Sequence, residues 1–175
     1  MRRLRYQFAV SLDGYIAAPD GDVSWIPMDP DIDFAGLFAQ FDTFLMGRGT
    51  WETSGAMLGR GSDVVVVSTT LDPGAHPSLT IISTEVADRV RDLKQRPGKD
   101  IWLFGGGLLF RSLLAEGLVD TVEPAIVPVL LGGGVPFLPE PAVRARLRLT
   151  GHQVFPTSGI VLLEYDVIDK AGLDA

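Results

Sequence analysis

Three short segments carry residue types that could hold a phosphate. In Ile101-Trp102-Leu103-Phe104-Gly105-Gly106-Gly107-Leu108 an apolar strand breaks into three glycines and then opens a helix. Without Cβ atoms the backbone N–H groups can approach a phosphate closely, and the helix N-terminus adds partial positive charge. A tight strand-to-helix turn would use the same glycines, and this motif alone does not choose between the two. It is not the dinucleotide fingerprint, because Phe110 stands where the third glycine belongs, and it lacks the lysine and Ser/Thr pair of a P-loop. The second segment is Met46-Gly47-Arg48-Gly49-Thr50-Trp51-Glu52. Arg48 brings fixed positive charge and the Thr50 hydroxyl can donate to a phosphate oxygen; the plainer reading is a solvated Arg with Thr50 as a helix N-cap. The third, Ser68-Thr69-Thr70, follows four consecutive valines, at a strand C-terminus where open α/β sheets gather ligands, although such hydroxyls also form turns. Each segment follows a buried strand, so all three can face one edge of one sheet. That arrangement suits a long bis-phosphate ligand such as a dinucleotide.

The elements that must position them follow from periodicity. Leu4, Tyr6, Phe8 and Val10 alternate with Arg5, Gln7 and Ala9, which predicts a first strand leading into the Asp13-Gly14 turn. The basic start at Met1-Arg2-Arg3 imitates a signal peptide, but Gln7 breaks the apolar stretch and Asp13 closes it. Phe34, Leu37, Phe38 and Phe41 fall at i, i+3, i+4 and i+7 and predict a helix that Asp29 or Asp31 caps. Further strands are expected over 43–46, 63–68, 80–83, 101–104 and 121–127. Helices are expected from Thr50 to about Met57, around Val86, Val90 and Leu93, and over Leu109 to Leu114 with a stop at Gly117. Leu147–Phe155 and Ile160–Ile168 read as a closing antiparallel pair around Pro156-Thr157-Ser158-Gly159. Repeated strand–helix units with an antiparallel end predict one three-layer α/β domain over residues 1–175 with a mixed sheet.

Composition narrows the function. The chain has 175 residues, 46% hydrophobic and 21% charged, an ordinary globular balance. With no cysteine, disulfides, Cys-ligated zinc, iron–sulfur clusters and thiol nucleophiles are excluded, and His76 and His152 leave little for a metal. A net charge of −7 repels nucleic acid and anionic membrane, so an anionic ligand must be held locally. The longest uncharged run, Pro124 to Pro139, has too many prolines and glycines for the ~20-residue apolar helix a bilayer needs. A soluble, cytoplasmic protein with a small-molecule partner, and with neither nucleic acid nor membrane, is the expectation. His152 and the row Arg144, Arg146 and Arg148 read as surface.

Four segments, taken together, resemble a known family in order and spacing. They are Ser11-Leu12-Asp13-Gly14-Tyr15-Ile16-Ala17, the Met46 to Glu52 segment, Phe104-Gly105-Gly106-Gly107, and Val127-Pro128-Val129-Leu130-Leu131-Gly132-Gly133-Gly134. The family is the dihydrofolate reductase-like superfamily, and the similarity is greatest to its branch with the reductase domain of riboflavin biosynthesis; it spans about residues 3–168. The resemblance implies a mixed, mainly parallel sheet with helices on both faces, a C-terminal antiparallel strand pair and bound NADPH. It implies that Gly105, Gly106, Gly107 and Leu108 hold the pyrophosphate, with a cis Gly105–Gly106 peptide. By the same likeness Gly47, Arg48 and Thr50 carry phosphate contacts, Arg48 near the 2′-phosphate and Thr50 near the pyrophosphate. Ser68 and Thr69 would flank the adenosine, Ala9 and Ile16 would line the nicotinamide, and the chain would form a homodimer.

The implied activity is NADPH-dependent reduction of a pterin-like, pyrimidine (5-amino-6-ribosylaminouracil phosphate-like) or related heterocycle. Hydride transfer asks the protein mainly for placement, and a proton is supplied separately. Asp31, among Asp29, Asp31 and Asp33, is the first candidate for that proton and Asp13 the second; a helix cap and a plain Asp-Gly turn are their bland alternatives. Trp25, Ile26 and Met28 could wall an aromatic substrate, or serve only in packing. Two departures bear on specificity. Riboflavin-pathway reductases commonly have Lys where this chain has Tyr15, which cannot pair with a ribosyl phosphate. Thr69 and Thr70 are neutral where many relatives are basic, so preference for NADPH over NADH rests on Arg48. The alternatives are a nucleotide-binding or assembly module that keeps the fold without turnover, and a scaffold in which the glycines only shape turns.

Overall fold

The computed structural model describes residues 1–55, 58 and 61–168; Met57, at the expected end of the second helix, lies outside them. Strand β1 (Leu4–Ser11) runs through the centre of an eight-stranded sheet. On one side of it lie β6 (Asp100–Gly105), β3 (Phe41–Gly47), β4 (Asp63–Val67) and β5 (Thr80–Ile82). On the other lie β7 (Thr121–Val127), β10 (Ile160–Val167) and the edge strand β9 (Leu147–Phe155). β1 and β3 to β7 are parallel, whereas β10 runs antiparallel to β7 and β9 antiparallel to β10. Helices α3 (Val86–Gln95) and α4 (Gly107–Ala115) pack on one face over Leu4, Tyr6, Ile101 and Leu103. Helices α1 (Phe34–Phe38) and α2 (Arg48–Ser54) pack on the other, over Phe44, Met46 and Trp102. This is the three-layer mixed sheet that the sequence predicts. No helix among the described residues is long and apolar enough to cross a membrane.

The two faces of β1 differ in chemistry. Tyr6 stacks between Phe8 and Phe110, with ring centroids 4.1 and 4.0 Å away, so the even-numbered positions build the main core. Arg5, Gln7, Ala9 and Ser11 turn to the other face, in register with Thr121, Glu123, Ala125 and Val127 of β7. This second face is covered as well, and Gln7 and Glu123 are buried. The Arg5 guanidinium donates to both carboxylate oxygens of Glu123 at 2.8 Å, and the Thr121 hydroxyl donates to Glu123 Oε1 at 2.7 Å. A buried carboxylate needs such partners, because burial of an unpaired charge is strongly unfavourable.

Several local expectations change. The first helix stops at Phe38, and Phe41 opens β3, where pairing on both sides with β4 and β6 outweighs its helical spacing from Phe34. Asp33 caps that helix, accepting from Gly36 N at 2.8 Å, in place of Asp29 or Asp31. Helix α2 begins at Arg48 after Gly47, so Thr50 lies inside its first turn and is not the N-cap. β2 (Tyr15–Ala17) and β8 (Val135–Pro136) form a small antiparallel sheet that two- and three-residue strands could not announce. Arg144 and Arg146 precede β9, and Arg148 pairs with Asp166 at 2.9 Å.

Glu123→Ala leaves Arg5 enclosed without its partner. We expect urea denaturation to show a loss of about 3–5 kcal/mol; a loss below about 1 kcal/mol would mean that the pair behaves as a solvated one.

Candidate functional site

In a parallel sheet the strand C-termini share one edge, so the loops that follow them must converge. β3 and β4 end opposite each other with Gly47 beside Val67, and Met46 pairs with Gly105 at the end of β6. The three segments singled out above therefore meet. Arg48 Nη1 donates to Thr70 Oγ1 at 2.6 Å while its Nε donates to Glu52 Oε1 at 2.6 Å. Ser68 Oγ accepts from the backbone N–H groups of Thr70 and Leu71 at 3.1 and 3.0 Å, which shapes the loop carrying Thr69. Thr50 Oγ1 faces the glycine turn, 3.3 and 3.4 Å from where Cβ atoms on Gly105 and Gly106 would stand.

The three glycines answer to different demands. Gly105 has φ +136°, a conformation side-chain-bearing residues rarely adopt. A Cβ on Gly107 would stand 2.8 Å from the carbonyl oxygens of both Pro136 and Phe137. Gly106 has φ −93°, and its Cβ would meet only Thr50 Oγ1, at 3.4 Å. The fold therefore requires glycine at 105 and 107 but not at 106. The Gly105–Gly106 peptide is cis. Gly106 immediately precedes α4 and brings no side-chain cap, so the first backbone N–H groups of that helix have no intrahelical acceptor. Leu108, in that first turn, is exposed.

Beside this edge, Ala9, Trp25, Ile32, Ala125 and Leu162 pack against a buried cluster of Val127, Phe155 and Ile160. Ile16 lies on β2, next to the glycine loop before β8. Trp25 is half-buried and its Nε1 donates to Asp22 O at 3.2 Å, whereas Met28 is 77% exposed. Asp31 is exposed and accepts from Thr157 Oγ1 at 3.0 Å. Asp29 is buried and accepts from the N–H groups of Asp31 and Ser158 at 2.8 and 3.0 Å, so it clamps the long loop to the β9–β10 turn. Its carboxyl is held below the usual range by hydrogen bonding to Ser158, then to Asp31.

Asp13 accepts from Ser11 Oγ at 2.6 Å and from the N–H groups of Gly132 and Leu131 at 2.7 and 3.2 Å. The Ser11 bond, followed by the backbone bonds, holds this carboxyl below its ordinary value. Asp13 thus ties the β1–β2 turn to the loop before β8. Gln7, which the sequence offers as a polar member of an alternation and a break in the apolar stretch, lies enclosed on the Ala9 face. Two surface depressions of about 430 and 960 Å³ lie around Pro141, Ala142 and Val143 and include none of these residues.

Two tests follow from this geometry. Gly107→Ala should be destabilised in thermal denaturation by the contact with the Pro136 and Phe137 carbonyls, whereas Gly106→Ala should melt close to the wild type; equal melting temperatures would contradict the distinct demands. For Asp13, whose folded-state pKa is lowered, the stabilisation is complete above the unfolded-state value of about 3.9 and is lost as pH falls through the lower folded value. Asp13→Asn should therefore show a shallower loss of urea stability below about pH 4, and an unchanged slope would remove Asp13 from the acid transition.

Comparison with known proteins agrees with the fold. Residues 2–162 match the family described as the RibD C-terminal domain. The uncharacterized protein YyaP of Bacillus subtilis (strain 168) is 33% identical over 179 residues, covering 94% of this chain and 94% of that protein. A structure from Shewanella sp. PV-4, provisionally named a riboflavin biosynthesis protein, superposes with a TM-score of 0.80 at 25% identity, covering 97% of this chain and 100% of that one. Dihydrofolate reductase from Enterococcus faecalis, solved with NADP(H), shares the fold at a TM-score of 0.69 and 16% identity, covering 95% and 97% of the two chains. With the match running through every strand from β1 to β9 and into β10, the chain belongs to the RibD C-terminal domain family, on the fold of the dihydrofolate reductases.

Proposed function

We propose that this protein is an NADPH-dependent reductase that delivers hydride to a C=N or C=O carbon of a pterin-like, pyrimidine or related heterocycle. The observation that carries the reading is Gly106, a position the fold leaves free for a side chain, set between Thr50 and the uncapped start of α4. A missing side chain there serves close approach of a ligand to the backbone. The residues present fit the cofactor. The backbone from Gly105 to Leu108, with Thr50, would take the pyrophosphate, and Gly47 would leave room beside it. Arg48 would take the 2′-phosphate, with Ser68 and Thr69 beside the adenosine. Its ion pair with Glu52 is half-exposed on both sides and costs little to exchange for a phosphate. Ala9 and Ile16 would line the nicotinamide.

When bound, the nicotinamide supplies a hydride to the electrophilic carbon, and the neighbouring nitrogen or oxygen takes a proton. Trp25, which packs on the same cluster as Ala9, would exclude water from that side, and Met28 would border the substrate at the rim. We assign the proton relay to Asp31, which adjoins Ile32 in the cluster containing Ala9. Asp13, held ionised by three donors, is suited to fixing the Leu131–Gly132 loop, and it would act as a proton donor only after losing that role.

NADPH should raise the melting temperature more than NADH does. Arg48→Ala should weaken NADPH by about 10- to 100-fold, the worth of a charge-assisted hydrogen bond, with little effect on NADH. Equal losses for the two cofactors would reject the 2′-phosphate assignment. Tight NADPH binding with no oxidation by any pterin or aminopyrimidine would select the non-catalytic module.

A further inference from the structure

Among the described residues, the buried side-chain polar atom without a hydrogen-bond partner is Gln7 Oε1. The residue is 9% exposed, and it sits on a central strand where an enclosed carbonyl lacking a donor is a cost to the fold. Its neighbours do not relieve that cost. Arg5 directs Nε and Nη2 at Glu123 and Nη1 at Gln40, and Glu123, in register beside Gln7, is taken up as the acceptor of Arg5 and Thr121. Apolar clusters lie to either side of it on this face. One contains Phe38, Trp102 and Phe104, the other Ala9, Trp25 and Ala125. An aliphatic side chain would satisfy such surroundings better, so the amide is retained against stability, which is the usual signature of a group kept for a ligand.

We propose that Gln7 is the substrate-orienting residue of the candidate site and that the substrate presents to it the N–H and C=O edge of a neutral cyclic amide or imide. The ring N–H donates to Gln7 Oε1, and the adjacent ring carbonyl accepts from Gln7 Nε2. A side-chain amide matches that edge with two bonds, as Gln does with the donor–acceptor edge of a base. The inference rests on the reductase reading and narrows its substrate class. Gln7 and Ala9 are successive residues on one face of β1, a separation of about 6–7 Å along a strand. A one- or two-ring heterocycle held by its amide edge at Gln7 thus extends its other end to Ala9, where that reading puts the nicotinamide.

The test uses the full chain, with and without NADPH, and titrates lumazine and 1,3-dimethyl-lumazine, which has no ring N–H, by calorimetry. The wild type should bind lumazine about 10- to 100-fold more tightly than the methylated probe. Gln7→Leu should lose that preference and leave the NADPH affinity unchanged, and its melting temperature should rise by about 2–4 °C, opposite to the loss of a structural hydrogen bond. The proposal is overturned if Gln7→Leu binds lumazine as well as the wild type, if the wild type treats the two probes alike, or if it binds neither. The comparison of probes on the wild type stays decisive should the variant not fold, and Gln7→Asn, which keeps the amide one methylene shorter, should retain part of the preference. Discrimination that depends on Gln7 without cofactor binding would retire the reductase reading and keep this one. NADPH binding without discrimination would do the reverse.

Discussion

The carbonyl oxygens of Pro136 and Phe137 stand 2.8 Å from where a side chain on Gly107 would begin, and the candidate site depends on that approach. It sets the loop around β8 against the start of α4. The same loop is fixed from its other side, where a Cβ on Gly134 would stand 2.2 Å from Ala17 O and where Asp13 receives the N–H groups of Leu131 and Gly132. The chain after β1, after β6 and after β7 is thereby joined by main-chain contacts that leave no room for bulk. Close packing of backbone on backbone is stiff, because no rotamer can absorb a displacement. A ligand meeting the α4 N-terminus would meet donors already in place, and little ordering would remain to oppose binding.

Below that rigid edge the sheet carries a polar ledge inside an otherwise apolar layer. Arg5, Glu123 and Thr121 form a closed set of bonds, with Gln40 attached from the end of the α1 segment. Such a buried pair adds little to stability relative to well-packed hydrophobic residues, but it resists rearrangement, since breaking it strands a charge. Gln7 continues the ledge toward Ala9 with its carbonyl unmatched. The contrast within three alternate residues of one strand is informative: Arg5 is fully engaged in the fold, Ala9 offers only a flat surface, and the amide between them has capacity to spare.

Legibility in the sequence followed range of interaction. Strands β1, β7, β9 and β10 could be read because alternation and turn residues are local, and the convergence of the three segments after β3, β4 and β6 could be read because parallel topology sends all strand C-termini to one edge. Phe41 misled because a residue seven beyond Phe34 sits equally well on a helical stripe and at the head of a buried strand; only the neighbours of β3 decide. β2 and β8 are too short to have a period. The Arg48–Thr70 bond depends on a rotamer, and the choice of Asp33 over Asp29 and Asp31 depends on where the chain turns. Gln7 was hidden for a different reason. Its alternation with Leu4, Tyr6 and Phe8 is what a strand with one wet face shows, and only the coverage of the second face reveals it as buried.

The charge balance explains why the local groups at the strand edge must carry so much. A net charge of −7 opposes any polyphosphate at long range. At physiological ionic strength that opposition fades beyond about 8 Å, so what a bound phosphate senses is its own surroundings. In the proposed site those surroundings would be the uncapped start of α4, the Thr50 hydroxyl and the guanidinium of Arg48, half-exposed and linked to both Glu52 and Thr70. Glu52 partly neutralises Arg48 through their ion pair. A dianionic phosphate outcompetes one exposed carboxylate in reach of the same guanidinium, whereas a hydroxyl does not. Selectivity between two otherwise identical dinucleotides can therefore reside in one exposed arginine, provided that a glycine turn holds the rest of the molecule in register with it.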